Sequence, residues 1–220
     1  IATNNSNSSA PTTTYATQFF ADTSASIMKL RNTANNAYVN LFSLAGGPAF
    51  AANGTINSVN IGKGANSVAG NTALGQNALD AANSGNGNNT AIGFDSLTAN
   101  TSGARNNAFG SGALAANTTA NNNNAFGYQA LTNNTSGTGN NAFGKSALDA
   151  SSTGSNLTAM GHNALGANTT ASNNTAVGYE SLAANTTGGN NTAVGASALD
   201  ANTTGNQNTA VGENALTAST

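Results

Sequence analysis

Few side chains in this sequence could act as an acid, a base, a nucleophile or a metal ligand. His162 is the only histidine, there is no cysteine, and the seven acidic residues are spread along the chain. A Ser-His-Asp arrangement or a zinc site needs several such groups together, and a glycosidase needs two carboxyl groups that face each other. The sequence therefore predicts no catalytic residue, no metal ligand, no cofactor and no enzymatic activity.

The charged residues also argue against two classes of partner. The formal net charge is −2, and the basic residues are scattered: Lys29, Arg31, Lys63, Arg105 and Lys145. Binding to nucleic acid or to an anionic membrane surface requires a basic stripe. No apolar run reaches the ~18–20 residues of a membrane-spanning helix. We predict neither nucleic-acid binding nor membrane insertion.

A glycine motif recurs along the C-terminal two-thirds of the chain. Its pattern is Asn-x-Ala-apolar-Gly, without the Lys-Ser/Thr pair or strand-helix context of a phosphate-binding loop. The first interval between the motif glycines is 18 residues and the others are 17. So constant an interval indicates a solenoid of nine stacked coils. The motif glycines are Gly75, Gly93, Gly110, Gly127, Gly144, Gly161, Gly178, Gly195 and Gly212.

Constant positions within the repeat are predicted to lie inside. The position two before the glycine is always Ala, and the fourth after it is always Leu. The position one before is always apolar, the third after is Ala or Ser, and the sixth after is Ala in eight copies. We expect all five positions to be interior. The NTAVG segment predicts a short strand, the xALxA segment a strand or a single helical turn, and the remainder a loop.

An asparagine occupies the position four before the glycine in eight of the nine repeats, and Leu157 replaces it in the other. Stacked coils place equivalent residues ~4.8 Å apart, so inward asparagines could hydrogen-bond from coil to coil. We expect an interior ladder that Leu157 interrupts.

The positions one, two and five after the glycine vary without pattern, which is typical of solvent-exposed sites. Four consecutive repeats carry Tyr128, Lys145, His162 and Tyr179 at the first of these positions. We predict that these four side chains are surface contacts for a partner, and that His162 is an exposed residue without a chemical role.

The chain divides by composition into a polar start, an aromatic-rich segment and the repeats. In the aromatic-rich segment, TQFFADT, SIMKLRN and AYVNLFSL each read as a strand between turn-rich stretches. The predicted fold class is mainly all-β, a small antiparallel unit followed by a β-solenoid. We assign residues 1–14 to a flexible linker, 15–50 to the three-stranded unit, 51–70 to a transitional coil and 71–220 to the nine-repeat shaft.

The energetics of the repeat favour an oligomer. Each coil has only two large apolar side chains, whose burial contributes ~2 kcal/mol apiece. Ordering 17 residues costs more than ~1 kcal/mol for each of them. We therefore expect a parallel, in-register homotrimer, intertwined or side by side, with the Leu positions buried among three chains.

Two segments carry a family resemblance. APTTTYATQFFADTSASIMKLRNTANNAYVNLFSLAGG resembles a small module near the shaft of tail fibres in phages of marine and other environmental bacteria. INSVNIGKGANSVAGNTALGQNAL and the NTAVGxxAL repeats resemble the repeat shafts of the same fibres, and more weakly the head coils of trimeric autotransporter adhesins. The resemblance implies a mainly β homotrimeric fibre on an extracellular virion. Its implied partners are other copies of the chain, virion tail or baseplate proteins, and a host-surface receptor such as a polysaccharide.

Three functions follow as expectations. The first is the shaft of a phage tail fibre that contributes to host attachment. The second is a bacterial trimeric surface adhesin or extracellular filament subunit. The third is an ice-binding β-solenoid. One expectation argues against it: the threonines should fall in loops, without the Thr-x-Thr alternation of a flat strand face.

Overall fold

The computed structural model describes residues 19–22, 27–31, 38–43, 54–56, 59–65, 68–81 and 87–217. The predicted linker over residues 1–14 lies outside these ranges. The described residues form β-strands and turns with no α-helix, which confirms the predicted fold class. The chain divides into two compact units, Ile1–Ala51 and Ala52–Thr220.

The first unit contains a three-stranded antiparallel sheet in the order β1-β2-β3. Its strands are β1 (Phe19–Asp22), β2 (Ile27–Arg31) and β3 (Tyr38–Ser43). The pairing of β2 with β3 shifts register between Met28 and Lys29, as at a β-bulge. The predicted small antiparallel unit is confirmed.

The second unit contains one sheet of 11 strands that neighbour each other in chain order. From β6 onward every pairing is parallel and in register, so each coil contributes one strand to the same sheet. This arrangement confirms the β-solenoid. The strands are β4 (Gly54–Ile56), β5 (Val59–Gly62), β6 (Thr72–Gly75), β7 (Thr90–Ile92), β8 (Asn107–Phe109), β9 (Asn124–Phe126), β10 (Asn141–Phe143), β11 (Thr158–Met160), β12 (Thr175–Val177), β13 (Thr192–Val194) and β14 (Thr209–Val211).

The segment before the first repeat differs from a repeat coil. Strands β4 and β5 form an antiparallel hairpin, and β5 pairs antiparallel with β6. The hairpin therefore occupies the edge of β6 that would otherwise present unpaired backbone groups. The other end of the described sheet, β14, pairs only with β13.

The xALxA segment is neither a strand nor a helical turn, the two forms that the sequence left open. It consists of two successive turns, in which Ala130 N–H donates to Gly127 O at 3.3 Å and Asn134 N–H donates to Leu131 O at 3.2 Å. The second and fourth residues after the glycine have positive φ, 56° at Gln129 and 52° at Leu131. The left-handed conformation bends the chain sharply, which lets it turn a corner within a few residues.

The core is built inside a single chain. The alanines two before the glycine and the Leu column (four after it) are buried, as predicted, and so are the small residues three after it in all but the last coil. Because one chain encloses the Leu column, the expectation that three chains bury it between them is wrong. The Leu column comprises Leu79, Leu97, Leu114, Leu131, Leu148, Leu165, Leu182, Leu199 and Leu216, and only Leu216 in the last coil is exposed.

The alanines six after the glycine were also expected inside, and that prediction is wrong. In the described coils they are half-buried, as at Ala99 and Ala116, or exposed, as at Ala201. The corner formed by the two turns places this position on the outer side of the bend, while Leu on the same corner points inward.

The predicted asparagine ladder is present and buried, and its bonds run mainly to the backbone. Asn106 Oδ1 accepts from the N–H of Asn123 at 3.0 Å. Asn123 Nδ2 donates to the carbonyl of Gly137, in the next coil's loop, at 2.9 Å. Up to Asn191, each such asparagine therefore holds its own coil to the next. We call this set the first asparagine ladder: Asn71, Asn89, Asn106, Asn123, Asn140, Asn174, Asn191 and Asn208.

Leu157 interrupts the first asparagine ladder, as predicted. Its own N–H still donates to Asn140 Oδ1 at 3.0 Å. Its side chain has no oxygen to accept the N–H of Asn174, so the side-chain bond made at the other coils is lost there.

A second asparagine ladder lies seven residues after the glycine, in a segment that the sequence reading assigned to a loop. Here side chains bond directly, with Asn117 Nδ2 donating to Asn100 Oδ1 at 2.9 Å. The same Nδ2 donates to the carbonyl three residues on, that of Ala120, at 3.2 Å. Buried polar groups require such partners. The second asparagine ladder comprises Asn100, Asn117, Asn134, Asn168, Asn185 and Asn202, with Ser151 at the equivalent position of the coil between Asn134 and Asn168. The equivalent positions of the first and last coils lie outside the described residues.

Ser151 is a defect in the second asparagine ladder that can be repaired. Its Oγ and the Oδ1 of Asn134 are both buried without a hydrogen-bond partner. In Ser151→Asn, a new Nδ2 would reach Asn134 Oδ1, so we expect the free energy of unfolding to rise by ~1–2 kcal/mol. Chemical denaturation measures the free energy of unfolding. Thr153→Asn, at an exposed site in the same loop, is the matched control. A midpoint that does not exceed the control's would contradict the ladder bond.

Candidate contact surfaces

The apolar residue one before each glycine faces outward, so its predicted place in the core is wrong. Successive side chains of a strand point to opposite sides. The alanine two before the glycine is buried, which directs the next residue to the surface. We call this column the apolar stripe; its members are exposed or half-buried, with Met160 45% exposed. It comprises Leu74, Ile92, Phe109, Phe126, Phe143, Met160, Val177, Val194 and Val211.

The residue three before each glycine lies beside the stripe and also faces outward. We call the stripe and this column together the strand face. The second column is exposed or half-buried and contains only uncharged polar residues. It comprises Thr72, Thr90, Asn107, Asn124, Asn141, Thr158, Thr175, Thr192 and Thr209.

Three central coils of the strand face have aromatic and amide ladders side by side. The Phe109 and Phe126 rings stack with centroids 4.6 Å apart, and those of Phe126 and Phe143 are 4.8 Å apart. Next to them, Asn107 Nδ2 donates to Asn124 Oδ1 at 2.8 Å, and Asn124 Nδ2 donates to Asn141 Oδ1 at 2.8 Å. These contacts order the middle of the face before any partner binds.

The threonines are not confined to loops, contrary to the sequence expectation. Six coils place a threonine on the strand face, at the first residue of the strand. A second hydroxyl column lies eight residues after the glycine, and there the hydroxyls bond to the next coil: Thr135 Oγ1 donates to Ser152 O at 3.1 Å. Within the described residues, four strand-face threonines make no hydrogen bond through their hydroxyls: Thr158, Thr175, Thr192 and Thr209.

The four predicted contact residues are brought together in one line. Ser146 N–H donates to Tyr128 O at 2.9 Å, and Asn163 N–H and Glu180 N–H donate to the carbonyls of Lys145 and His162 at 3.0 Å. These bonds place the four residues on successive coils. We call the column the contact row: Gln76, Phe94, Ser111, Tyr128, Lys145, His162, Tyr179, Ala196 and Glu213.

The contact row presents aromatic side chains to solvent. Tyr128 is 52% exposed and Tyr179 is 54% exposed. His162 is half-buried, since its ring stacks on that of Tyr179 with centroids 5.4 Å apart. The Nδ1 of His162 is buried and has no hydrogen-bond partner. The His162 ring is therefore held in place rather than fully exposed.

The acidic residues near these surfaces do not form a constellation. A side-chain hydrogen bond to Glu180, and the charge of its carboxylate, raise the pKa of the Tyr179 phenol. Burial raises the pKa of Asp149, while backbone hydrogen bonds from Ala150 and from its own N–H act in the opposite direction. In the part of the chain that the structure describes, no three His, Cys, Asp or Glu residues lie close enough to hold a metal ion.

No protein family, curated protein or solved structure matches this chain. Among the described residues there is no helix with the length and apolar character to cross a membrane. The strand face and the contact row are thus defined by the chain's own geometry.

Proposed function

We propose that this chain is the shaft of an attachment fibre, of the kind found on phage tails. The observation that carries the proposal is the alignment of the variable residues. The constant Ala and Leu positions that lie inside fix the coil, and the variable position one after each glycine stacks from coil to coil to form the contact row. The resemblance of the repeats to phage fibre shafts supports the same function.

The solenoid suits a role in which a surface must be held at a fixed distance. Nine coils at ~4.8 Å each give ~40 Å of shaft. Each coil is tied to the next by the strand ladder, by both turns and by the asparagine ladders. Because every side of the coil is bonded, the shaft resists bending.

The contact row is the surface that would touch a host. Tyr128, Lys145, His162 and Tyr179 provide aromatic faces, a positive charge and hydrogen-bonding groups on consecutive coils. Such a row fits an extended, uncharged or weakly acidic chain such as a surface polysaccharide. Each contact is weak, and copies of the chain would add avidity without a tight single site.

The location of the chain tests this function. Antibodies raised against the solenoid and labelled with gold should mark the tail fibres when the virus particles that carry the chain are imaged. Label on a bacterial cell surface, with none on particles, would replace the fibre by the adhesin or filament function. A proposed partnership with tail or baseplate proteins predicts label near the tail.

The contact row can be tested on its own. Tyr128→Ala combined with Tyr179→Ala should lower binding to host surface polysaccharide at least tenfold, since two exposed rings are removed without touching the core. Thr187→Ala, exposed on a different column, is the matched control. Equal binding by both variants would remove the row from recognition. No shortened glycans are expected, and their release would contradict the non-enzymatic assignment.

A second candidate function is ice binding, favoured by the free threonine hydroxyls beside aliphatic residues on β11 to β14. The rings of Phe109, Phe126 and Phe143 on the same face interrupt the regular surface that an ice lattice requires. Thermal hysteresis in a solution of the purified chain would support ice binding, and a solution without thermal hysteresis would exclude that function.

A further inference from the structure

We infer that the strand face is the surface on which copies of this chain meet, parallel and in register, with stripe packed against stripe. The inference rests on the proposed fibre, in which the chain is a homotrimer, and identifies the face that makes that assembly. The Leu column no longer provides a reason for association, because a single chain buries it. The apolar stripe provides a different one.

The stripe exposes an apolar patch as large as the functional contact surfaces of monomers. Nine large side chains lie in one unbroken line, among them Leu74 at 42%, Met160 at 45% and Val211 at 71% exposure. With ~200 Å² for a large side chain, the stripe leaves on the order of 500 Å² exposed. This is comparable to the largest apolar patch of a typical monomer, ~300–600 Å², which is often a functional surface. The Thr/Asn column adds to this area and brings the face towards the ~800 Å² per partner of a stable interface.

The spacing of the stripe selects the partner. Its side chains repeat once per coil, and the ring centroids of successive coils are 4.6 and 4.8 Å apart. A surface that meets all nine side chains must have the same period. Another copy of this chain has that period by construction, and identical columns can then interdigitate as they do between paired β-sheets.

The charge distribution agrees with a contact between identical faces. Neither column of the strand face contains an ionisable residue, so two copies bring no like charges together. The charged residues of the contact row, such as Lys145 and Glu213, lie in a separate column. Parallel alignment also places the Phe109, Phe126 and Phe143 ladder of one copy beside that of another, where aromatic rings can pack together.

Cysteine cross-linking tests the face and the direction together. Because the chain has no cysteine, only introduced thiols react. Mild oxidation of Met160→Cys should give a covalent dimer, whereas Thr187→Cys, exposed on another column, should not. To test the direction of packing, the variants Leu74→Cys and Val211→Cys, at opposite ends of the stripe, each carry a different mass label and are mixed. Parallel packing links each variant only to itself, and mixed links between positions 74 and 211 would overturn the parallel arrangement.

A charge in the stripe provides a test that does not depend on cross-linking. Met160→Asp should leave the coil folded, because the side chain is already 45% exposed. It should raise the dissociation constant of the oligomer at least a hundredfold, since each copy would bring a charge to the contact. Native mass spectrometry reports the assembly and far-ultraviolet circular dichroism the fold. Thr187→Asp is the control and should change neither.

The outcomes separate this inference from the fibre itself. An unmodified chain that is trimeric, with links from Met160→Cys and loss of trimer in Met160→Asp, supports the face. A trimer that gives no stripe links and survives Met160→Asp overturns the face and leaves the fibre proposal intact. A chain that is monomeric at all concentrations overturns both the face and the homotrimer, while gold labelling still reports on the fibre.

Discussion

Replacing Leu131 by Asp is expected to unfold the middle of the solenoid. Leu131 is fully buried, and the described buried residues of the interior are alanines, leucines, asparagines and serines, none of which can neutralise a carboxylate. Losing the leucine and burying an unpaired charge should lower the free energy of unfolding by more than ~4 kcal/mol. Chemical denaturation at neutral pH measures the change.

The position of Leu131 increases the effect. In a solenoid each coil is stabilised only by its neighbours, so a disrupted central coil separates the array into two shorter stacks with an unpaired edge each. Lowering the pH until the introduced carboxyl group is protonated should restore part of the stability, because a neutral carboxylic acid costs less to bury than its anion. A loss that does not depend on pH would point to the cavity rather than the charge.

Two matched substitutions control for the chemistry of the new residue. Gln129→Asp introduces the same charge two residues earlier in a column where Asp95 already has the same positive φ, so its effect should stay within ~0.5 kcal/mol. Leu216→Asp changes the same column in the last coil, where the leucine is 50% exposed, and should cost much less. Equal losses at Leu131 and Gln129 would show that the interior has been assigned to the wrong columns.

The sequence predicted the parts of the fold that repeat without exception. The invariant Leu and the Ala two before the glycine are buried in the described coils before the last, because side chains that occupy the same interior volume in every coil must have the same size. The inward asparagine ladder and its interruption at Leu157 were found for the same reason. The contact row could be predicted because its residues, such as Tyr128 and Lys145, vary in size, charge and polarity, which a closely packed interior position does not allow.

The apolar stripe shows where constancy of residue type is not enough. Phe126 and Leu131 both lie in always-apolar columns, yet only Leu131 is fully buried. The strand has three residues, so its alternation allows one inward side chain, and the alanine takes that place. Read strictly with a period of two, the pattern Asn-Ala-Phe would have placed the phenylalanine outside.

The turns escaped prediction for a different reason. Leu131 has a φ of 52°, a conformation that costs ~1–3 kcal/mol for a residue other than glycine and that propensity does not predict for leucine. The second asparagine ladder was likewise hidden, because its members stand beside Thr and Gly in stretches such as NTTGG that are typical of loops. Only the 17-residue recurrence of an Asn seven after the glycine could have indicated it.

The second large loss of stability is expected from Gly127→Ala, which replaces a motif glycine. Gly127 has a φ of 146°, a region that is accessible almost only to glycine. An added methyl group would also collide with the backbone carbonyl of Gly144 in the next coil. Since neither the strained φ nor the neighbouring backbone can relax without breaking a ladder bond, we expect a loss of roughly 2–4 kcal/mol in the free energy of unfolding.

Gly112→Asn separates this effect from the general cost of replacing a glycine. Gly112 also has a positive φ, 70°, but a Cβ there would meet only side-chain atoms at ordinary contact distances, Gln129 Cγ at 3.5 Å and Thr132 Oγ1 at 4.0 Å. Asn77 and Asn163 already occupy the same column with positive φ, and a residue other than glycine reduces the entropy of the unfolded chain. Thermal and chemical denaturation should show Gly112→Asn equal to or above the parent chain in stability and Gly127→Ala far below it. If Gly127→Ala were as stable as the parent, the close approach of successive coils at the motif glycines would be wrong.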